Sequence, residues 1–196
     1  MFTRISLIAS ALALGACATA AQAAPPETPA APAPADHVMP GPADGVFPSM
    51  MRGTAEMIGL DGQAIGAANL LDGPHGLMIR VELAPGSLAP GWHGIHLHAV
   101  GDCSDVGMYK MSGGHVGLMA GGHGLLNPVG PENGDLPNLW AAADGSAGYE
   151  AFTTLDNLGG LLDEDGSAII IHESEDDHMS QPIGGAGARV ACGVIK

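Results

Sequence analysis

Histidines at strand spacing are the clearest chemical signal in the sequence. His96 and His98 flank a single leucine, and side chains at positions i and i+2 of a β-strand point to the same face, so both imidazoles can reach one metal ion. His172 ends an apolar run, and His115 and His123 lie among glycines, where the backbone can approach a ligand closely. Because imidazole is the usual ligand of copper and zinc, the pattern predicts a transition-metal site.

Not every histidine fits this pattern. His93 falls on the opposite strand face from His96, and we expect it to be a hydrogen-bonded structural residue rather than a ligand. His178 lies in an acidic, glycine-rich segment, and we expect it at the surface.

Seven short apolar stretches, punctuated by glycine and proline, predict the strands that must position these histidines. Their bounds are 54–60, 64–71, 77–83, 93–100, 147–154, 168–172 and 189–195. Asp61-Gly62 and Asp72-Gly73 are hairpin signals between the first three strands. This rhythm is typical of an all-β, antiparallel sandwich or barrel. Segments 101–137 and 173–188 break it and are predicted to be two long functional loops.

Composition excludes several classes of protein. Gly 31 and Pro 15 among 196 residues argue against a helical bundle. Acidic residues outnumber basic ones 21 to 6, and a formal charge of −15 repels nucleic acid and anionic membrane surfaces.

The N-terminal residues predict export, which would place the chain in the periplasm. Residues 1–23 are predicted to be a signal peptide, with a basic start and an apolar core too short to span a membrane. The segment contains two alternative processing sites. One is cleavage after Ala23, and the other is a lipoprotein signal in which Cys17 carries the lipid and tethers the protein to a membrane. Residues 24–48 form a predicted Pro/Ala-rich linker, and residues 50–196 form the folded domain.

The cysteine count predicts one disulfide. Export exposes the chain to an oxidising compartment. Cys17 belongs to the signal, which leaves Cys103 and Cys192 as the natural pair.

Several separated motifs resemble the copper/zinc superoxide dismutase family, in the family's order, from about residue 54 to residue 196. They are Gly91–His98 with Gly101–Cys103, Ser112–His115, His123-Gly124, Gly134–Leu139, Ile171–Glu173 with Asp176-Asp177, and Gly187–Ile195. The resemblance implies a Greek-key β-sandwich or barrel and the disproportionation of superoxide, a small anionic substrate, to oxygen and hydrogen peroxide.

The resemblance also implies the site residues. Copper would be held by His96, His98, His115 and His172, and zinc by His115, His123 and Asp135. His115 would bridge both metals and take part in catalysis, as would Arg189, which would guide the anion beside the copper. Asp176 would orient one ligand of each metal. The disulfide between Cys103 and Cys192 matches the family's own.

One position departs from the family. Glu132 stands where the family usually has a third zinc histidine, three residues before Asp135. Zinc is expected with Glu132 or water as its fourth ligand, and the alternative is a weakened or vacant zinc site.

This departure keeps other functions open. A copper-only dismutase and a non-enzymatic copper-binding or copper-buffering protein on the same fold are the alternatives. Met108, Met111 and Met119 beside the metal loop would suit copper storage, because thioether is a good ligand for copper(I), although packing under the loop is the role expected for them. Arg189 and Asp176 favour the enzyme. The remaining expected partners are a lipid anchor through Cys17 and a second copy of the chain in a homodimer.

Overall fold

Nine antiparallel strands make up most of the regular structure in the computed structural model, which describes residues 51–196. They are β1 (Arg52–Gly59), β2 (Ala64–Gly73), β3 (Gly76–Leu83), β4 (Gly91–His93), β5 (Ile95–His98), β6 (Leu139–Ala141), β7 (Ala147–Thr153), β8 (Ala168–His172) and β9 (Arg189–Val194). A 3-10 turn at Lys110–Ser112 and one helical turn, α1 (Leu158–Leu161), complete the regular elements. The predicted signal peptide, with Cys17 and Ala23, and the predicted linker lie outside the described residues.

The first three strands form the two predicted hairpins. β1 pairs with β2 and β2 pairs with β3, both antiparallel, and Gly73 faces Gly76 at the second turn. In β1, buried residues alternate with less buried ones along the strand, which is the pattern of a sheet with one face on the core.

The sheet comes close to closing into a barrel. Its strand order is β4-β6-β7-β3-β2-β1-β9-β8-β5, so the two edge strands, β4 and β5, are consecutive in the chain and separated only by Gly94. The inward faces enclose an aliphatic core that includes Leu70, Ile79, Leu97 and Ile169. The predicted all-β antiparallel architecture is therefore confirmed.

Gly94 explains why the predicted strand 93–100 is two strands. Its N–H donates to Ser174 O at 2.8 Å, and its carbonyl accepts the N–H of His172 at 2.8 Å. A Cβ at this position would lie 2.9 Å from the Cβ of Ala186. The chain therefore changes partners at Gly94, and β5 pairs with β8 while β4 pairs with β6.

Both predicted loops are present and together hold almost no regular structure. Between residues 101 and 137 the structure has only the 3-10 turn, and between 173 and 188 it has no helix or strand. A disulfide joins Cys103 to Cys192 of β9, with 5.9 Å between the Cα atoms, as predicted. Within residues 51–196 no helix has the length and apolar character needed to cross a membrane.

Candidate metal centre

The first long loop supplies site residues by running along the free edge of β5. The N–H of Leu97 donates to Gly134 O, and the N–H of Val116 donates to Leu97 O, each at 2.9 Å. These bonds place His115 opposite His98 and Asp135 opposite His96 as isolated bridge pairs. Gly134 has to be glycine here, because a Cβ would lie 2.2 Å from Leu97 O.

Three buried histidines form the first cluster. The ligand atoms of His96, His98 and His172 lie within 4.8 Å of one another. Each ring has one nitrogen occupied by a protein acceptor. Nε2 of His96 lies 2.8 Å from Asp176 Oδ2, Nδ1 of His98 lies 2.9 Å from Gly113 O, and Nδ1 of His172 lies 3.1 Å from Gly187 O.

These acceptors select the tautomers of the three rings. A ring nitrogen that donates to a carboxylate or a carbonyl carries the proton, so the other nitrogen presents its lone pair. The other nitrogens, Nδ1 of His96 and Nε2 of His98 and His172, are buried without a hydrogen-bond partner. Three lone pairs therefore face a shared site.

Carboxylates dominate the second cluster. Oδ1 of Asp135 lies 2.8 Å from His123 Nδ1 and 3.1 Å from His115 Nδ1. Oε2 of Glu132 lies 2.9 Å from His115 Nδ1, yet neither of these two atoms has hydrogen-bond geometry to a partner. The other carboxylate oxygen, Oε1, accepts the N–H of Met119 at 2.8 Å. Glu132 thus directs one free oxygen into the cluster.

His115 lies between the two clusters. Its ring centroid is 4.3 Å from that of His96, 5.2 Å from that of His98 and 5.1 Å from that of His123. Neither of its ring nitrogens has a hydrogen-bond partner in the part of the chain that the structure describes. His96, His115, His123 and Asp135 also satisfy the distance criterion for a ligand group, but Nε2 of His96 is held by Asp176, and its free Nδ1 completes the first cluster.

Asp176 connects the clusters from behind. Its Oδ2 accepts from His96 and its Oδ1 lies 3.2 Å from Nε2 of His123. Gly184 packs against this carboxylate so closely that a Cβ there would overlap Oδ1. Asp176 thus contacts one histidine of each cluster.

Burial keeps the first cluster neutral. It lowers the pKa of His96 to about 4, despite the hydrogen bond to Asp176, and it lowers the pKa of His172 to about 3. The pKa of His98 is also lowered, by burial first and then by the charge of neighbouring His115 and Arg189. At neutral pH these imidazoles are available as ligands without losing a proton.

The second cluster is ionic in the metal-free chain. Burial opposes the charged forms, but hydrogen bonds to Asp135 and Asp176 raise the pKa of His123 to about 10. Against the same burial penalty, the histidines hold the pKa of Asp135 and of Asp176 well below the ordinary range. The acceptor oxygens are therefore charged at neutral pH.

Arg189 is anchored by the segment that precedes His115. Its Nη1 donates to Tyr109 O at 2.6 Å and to Ser112 Oγ at 3.1 Å, and its Nη2 donates to Gly113 O at 2.7 Å. Burial lowers its pKa, and its positive charge lowers the pKa values of His98 and His172. The guanidinium therefore lies beside the first cluster.

The sequence predictions for two other histidines, His93 and His178, have different outcomes. His93 is buried and both ring nitrogens lie 2.7 Å from carbonyl oxygens, those of His172 and Ala89, so the structural role predicted for it is confirmed. The surface position predicted for His178 is wrong. Its ring is partly buried, with Nε2 3.2 Å from Nδ2 of Asn138 and Nδ1 3.5 Å from Oδ2 of Asp176.

Sequence reasoning missed the amides around the site. Asn138 and Gln181 hydrogen-bond the backbones of Asp176 and His123, respectively. Neither side chain is a metal-ligand type, and the contacts cross from one loop to the other, so no local spacing signals them.

Comparison with known proteins assigns the family. The family "Copper/zinc superoxide dismutase (SODC)" matches residues 65–195. The chain belongs to the copper/zinc superoxide dismutases. A superoxide dismutase [Cu-Zn] of Caulobacter vibrioides is 50% identical in an alignment of 143 residues that covers 69% of this chain and 80% of the relative. A superoxide dismutase [Cu-Zn] of Aquifex aeolicus is 36% identical over 151 residues, covering 74% of this chain and 87% of the relative.

Solved structures agree with this assignment to the copper/zinc superoxide dismutases. The copper/zinc superoxide dismutase of Brucella abortus superposes with a TM-score of 0.61 at 29% identity, covering 74% of this chain and 100% of that one. A superoxide dismutase-like protein of Bacillus subtilis gives a TM-score of 0.63 at 35% identity, covering 72% of this chain and 96% of that one.

The buried atoms fit the copper and zinc that characterise copper/zinc superoxide dismutases. A buried polar atom without a partner costs about 1–3 kcal/mol. The unpartnered atoms here are Nδ1 of His96, Nε2 of His98, both ring nitrogens of His115, Oε2 of Glu132, Nε2 of His172 and Nδ1 of His178. All except the last belong to predicted ligands. An imidazole set suits copper, and mixed imidazole and carboxylate donors suit zinc.

Proposed function

We propose that the protein is a superoxide dismutase, which converts two superoxide anions and two protons into oxygen and hydrogen peroxide. The observation that carries the proposal is the convergence of unpartnered imidazole nitrogens on a buried site beside an anchored arginine. Bound copper supplies the alternation between two oxidation states that this reaction needs, while zinc has no redox chemistry.

The unpartnered atoms, together with Nδ1 of His123 and Oδ1 of Asp135, which lie 2.8 Å apart in the metal-free chain, suggest the ligand sets. Copper would be held by Nδ1 of His96 and by Nε2 of His98, His115 and His172. Zinc would be held by Nδ1 of His115 and His123, Oδ1 of Asp135 and Oε2 of Glu132. In this proposal Glu132 is a monodentate ligand, since its Oε1 is occupied by the N–H of Met119.

His115 is proposed to hold and release one proton during the reaction. Both of its ring nitrogens lack a hydrogen-bond partner among residues 51–196. Nε2, whenever it does not hold the copper, can therefore hold a proton and release it to reduced oxygen. Its position between the clusters keeps this proton within the buried site.

Arg189 is proposed to bind the anion. A guanidinium has five N–H donors, and three hydrogen bonds to Tyr109, Ser112 and Gly113 fix its plane. The remaining donors and the positive charge can hold a small anion beside the first cluster.

We further propose that residues 1–23 export the protein to the periplasm, that residues 24–48 are a linker and that residues 50–196 are the catalytic domain. The disulfide supports export, since disulfides persist in oxidising compartments. Membrane tethering would follow from lipid on Cys17. Mass spectrometry distinguishes a mature chain that begins at Ala24 from an acylated chain that begins at Cys17.

A homodimer is proposed from the face formed by β4 and β6. Trp92 and Trp140 are cross-strand partners with ring centroids 4.9 Å apart, and about half of each is exposed. Aromatic side chains are enriched at interfaces. Sedimentation velocity should give a dimer for the wild type and a monomer for Trp140→Glu; a wild-type monomer would reject the dimer.

Metal analysis combined with superoxide consumption tests the proposed reaction. The wild type should retain one copper and one zinc and consume superoxide, and His115→Ala should lose activity and bind less of both metals. Stoichiometric copper without activity would instead identify a copper-buffering protein.

Glu132→Gln separates the zinc-containing enzyme from a copper-only dismutase. Loss of one acceptor charge should weaken zinc binding by about tenfold or more, with copper retained. One copper, no zinc and full activity in the wild type would select the copper-only enzyme.

A further inference from the structure

Two carboxamide side chains cross between the long loops and hold the backbone behind the second cluster. Nδ2 of Asn138 donates to Asp176 O at 2.8 Å, and the N–H of Asp176 donates to Oδ1 of Asn138 at 3.0 Å. Nε2 of Gln181 donates to His123 O at 2.8 Å, and the N–H of His123 donates to Oε1 of Gln181 at 3.3 Å. Each amide therefore pairs with both backbone polar groups of one residue.

The two residues held in this way contact each other. Oδ1 of Asp176 lies 3.2 Å from Nε2 of His123. Asn138 lies just before β6 and reaches the loop 173–188, whereas Gln181 lies in that loop and reaches back to the first. The paired amides thus link the two loops in opposite directions, with the contact between Asp176 and His123 between them.

We propose that Asn138 and Gln181 are positioning residues that set the geometry of the zinc site. They act through the backbones of Asp176 and His123, so that Nδ1 of His123 meets Asp135. The inference rests on the zinc ligands proposed above. Groups that orient a ligand typically change metal affinity by about 10–100-fold when they are removed.

The hydrogen bonds of Asn138 and Gln181 indicate which of the two side chains matters more for the zinc site. Among the hydrogen bonds of the described residues, Asn138 makes both of those to the backbone of Asp176. His123 O has a second donor, because Nδ2 of Asn127 also reaches it at 2.8 Å. In addition, Gln181 is exposed, where water can replace part of its pairing. Loss of Asn138 should therefore cost more than loss of Gln181.

Zinc titration of the purified, copper-free protein tests this ranking. Asn138→Leu and Gln181→Met keep the approximate size of each side chain and remove its hydrogen bonds. Competition with a chromophoric chelator should show zinc affinity reduced about 100-fold and about tenfold, respectively. Gln63→Met, an exposed glutamine in the turn between β1 and β2, is the matched control and should stay within about twofold of the wild type.

Cobalt(II) in place of zinc reports on geometry rather than folding. Its visible absorption should change in Asn138→Leu and Gln181→Met and stay constant in Gln63→Met. Unchanged spectra and affinities in both variants would overturn the inference. A lower melting temperature of the metal-free protein with an unchanged cobalt spectrum would also overturn it, because it indicates a purely structural role.

His123→Ala separates this inference from the ligand proposal. If the wild type takes up no zinc, or if His123→Ala binds zinc as the wild type does, the proposed zinc ligands are wrong. If His123→Ala loses zinc while Asn138→Leu retains full affinity, the ligands stand and the positioning role fails.

Discussion

Arg189 shows how backbone carbonyls direct a single charged group. Three acceptors within residues 109–113 fix the guanidinium, and the same Gly113 carbonyl accepts from Nδ1 of His98. One peptide group therefore connects the arginine to the first cluster. In the proposed mechanism this arrangement would separate anion binding from metal binding, since no atom of Arg189 is among the unpartnered buried atoms of the described residues.

Arg189→Ala should lower the superoxide consumption rate by about tenfold or more while the copper content stays unchanged, because a charge-assisted contact to the anion is lost. The rate of Arg189→Lys should fall between those of the wild type and Arg189→Ala, since lysine keeps the positive charge but lacks the fixed planar group. Activity assays with copper analysis check both variants. Wild-type activity in Arg189→Ala at low salt would contradict the role.

The buried histidines predict the acid stability of the metal-free protein. The pKa values of His96 and His172, about 4 and 3, lie below the ordinary value near 6.5, so the unfolded chain binds more protons as the pH falls below 6.5. The folded state therefore loses stability as the pH falls below 6.5. Together the two histidines should make the free energy of unfolding about 3 kcal/mol lower at pH 5 than at pH 6.5.

Above pH 6.5 the pH dependence of the free energy of unfolding has the opposite sign. His123 has a pKa raised to about 10, so its contribution is complete below 6.5 and declines as the pH approaches 10. Urea unfolding across this range should show a maximum near neutral pH. His172→Gln should flatten the acid limb, while exposed His75→Gln should not. A constant stability from pH 5 to 6.5 would contradict the burial argument.

Among the elements, β9 links the disulfide to Arg189, the residue proposed to bind the anion. It carries Arg189 at its start and Cys192 three residues later, and Cys103 lies in the same loop as the carbonyls that hold Arg189. The disulfide therefore joins the strand and the loop that together position the guanidinium.

Removing the disulfide should affect stability first. A closed segment of 89 residues is worth about 4–5 kcal/mol in the chain-entropy model. The double variant Cys103→Ser with Cys192→Ser should lose free energy of unfolding of this order in denaturant titration, and should lose activity at a temperature where it is still folded. A loss below about 1 kcal/mol would show that the loop is held mainly by other contacts.

Sequence patterns predicted the long elements better than the short ones. Alternating burial and hairpin signals located β1, β2 and β3. The three-residue β6 and the single-turn α1 were missed, because each spans little more than one hydrophobic period. Both depend on their neighbours, as when β6 pairs with β4 and β7. The split at Gly94 likewise comes from hydrogen bonds to Ser174 and His172, at and just beyond the end of the neighbouring strand β8.

Site residues could be predicted from the sequence where their side chains are typical metal ligands. Residues of other types could not. Histidine spacing and family motifs located the residues now found in the two clusters. Asn138 lies within the motif Gly134–Leu139, but the contacts of Asn138 and Gln181 could not be predicted, because they join each side chain to the backbone of a segment distant in sequence. The oxygen that Glu132 directs towards His115 also required the folded loop.

At the scale of the whole molecule, charge opposes the substrate. The sequence carries −15 and has no lysine or arginine from residue 173 to residue 188. Long-range attraction of superoxide should therefore be weak, and Arg189 with the metals should act only at short range. Salt screens interactions beyond about 8 Å at physiological ionic strength.

The rate should consequently respond weakly to salt. Raising the ionic strength from about 0.01 M to 0.15 M should change it by less than about twofold, measured by stopped-flow superoxide decay. Glu175→Lys, in the exposed second loop, should raise the low-salt rate, whereas Glu82→Lys on β3 should not. A fall of severalfold with salt in the wild type would show that the fold steers the anion from long range.

Catalysed superoxide decay by protein of known metal content tests the central claim most directly. With one copper and one zinc bound per chain, decay should accelerate in proportion to bound copper, and the zinc-only protein and His98→Ala should show no acceleration. Stoichiometric copper at the site with no acceleration of superoxide decay would contradict the assignment as a superoxide dismutase.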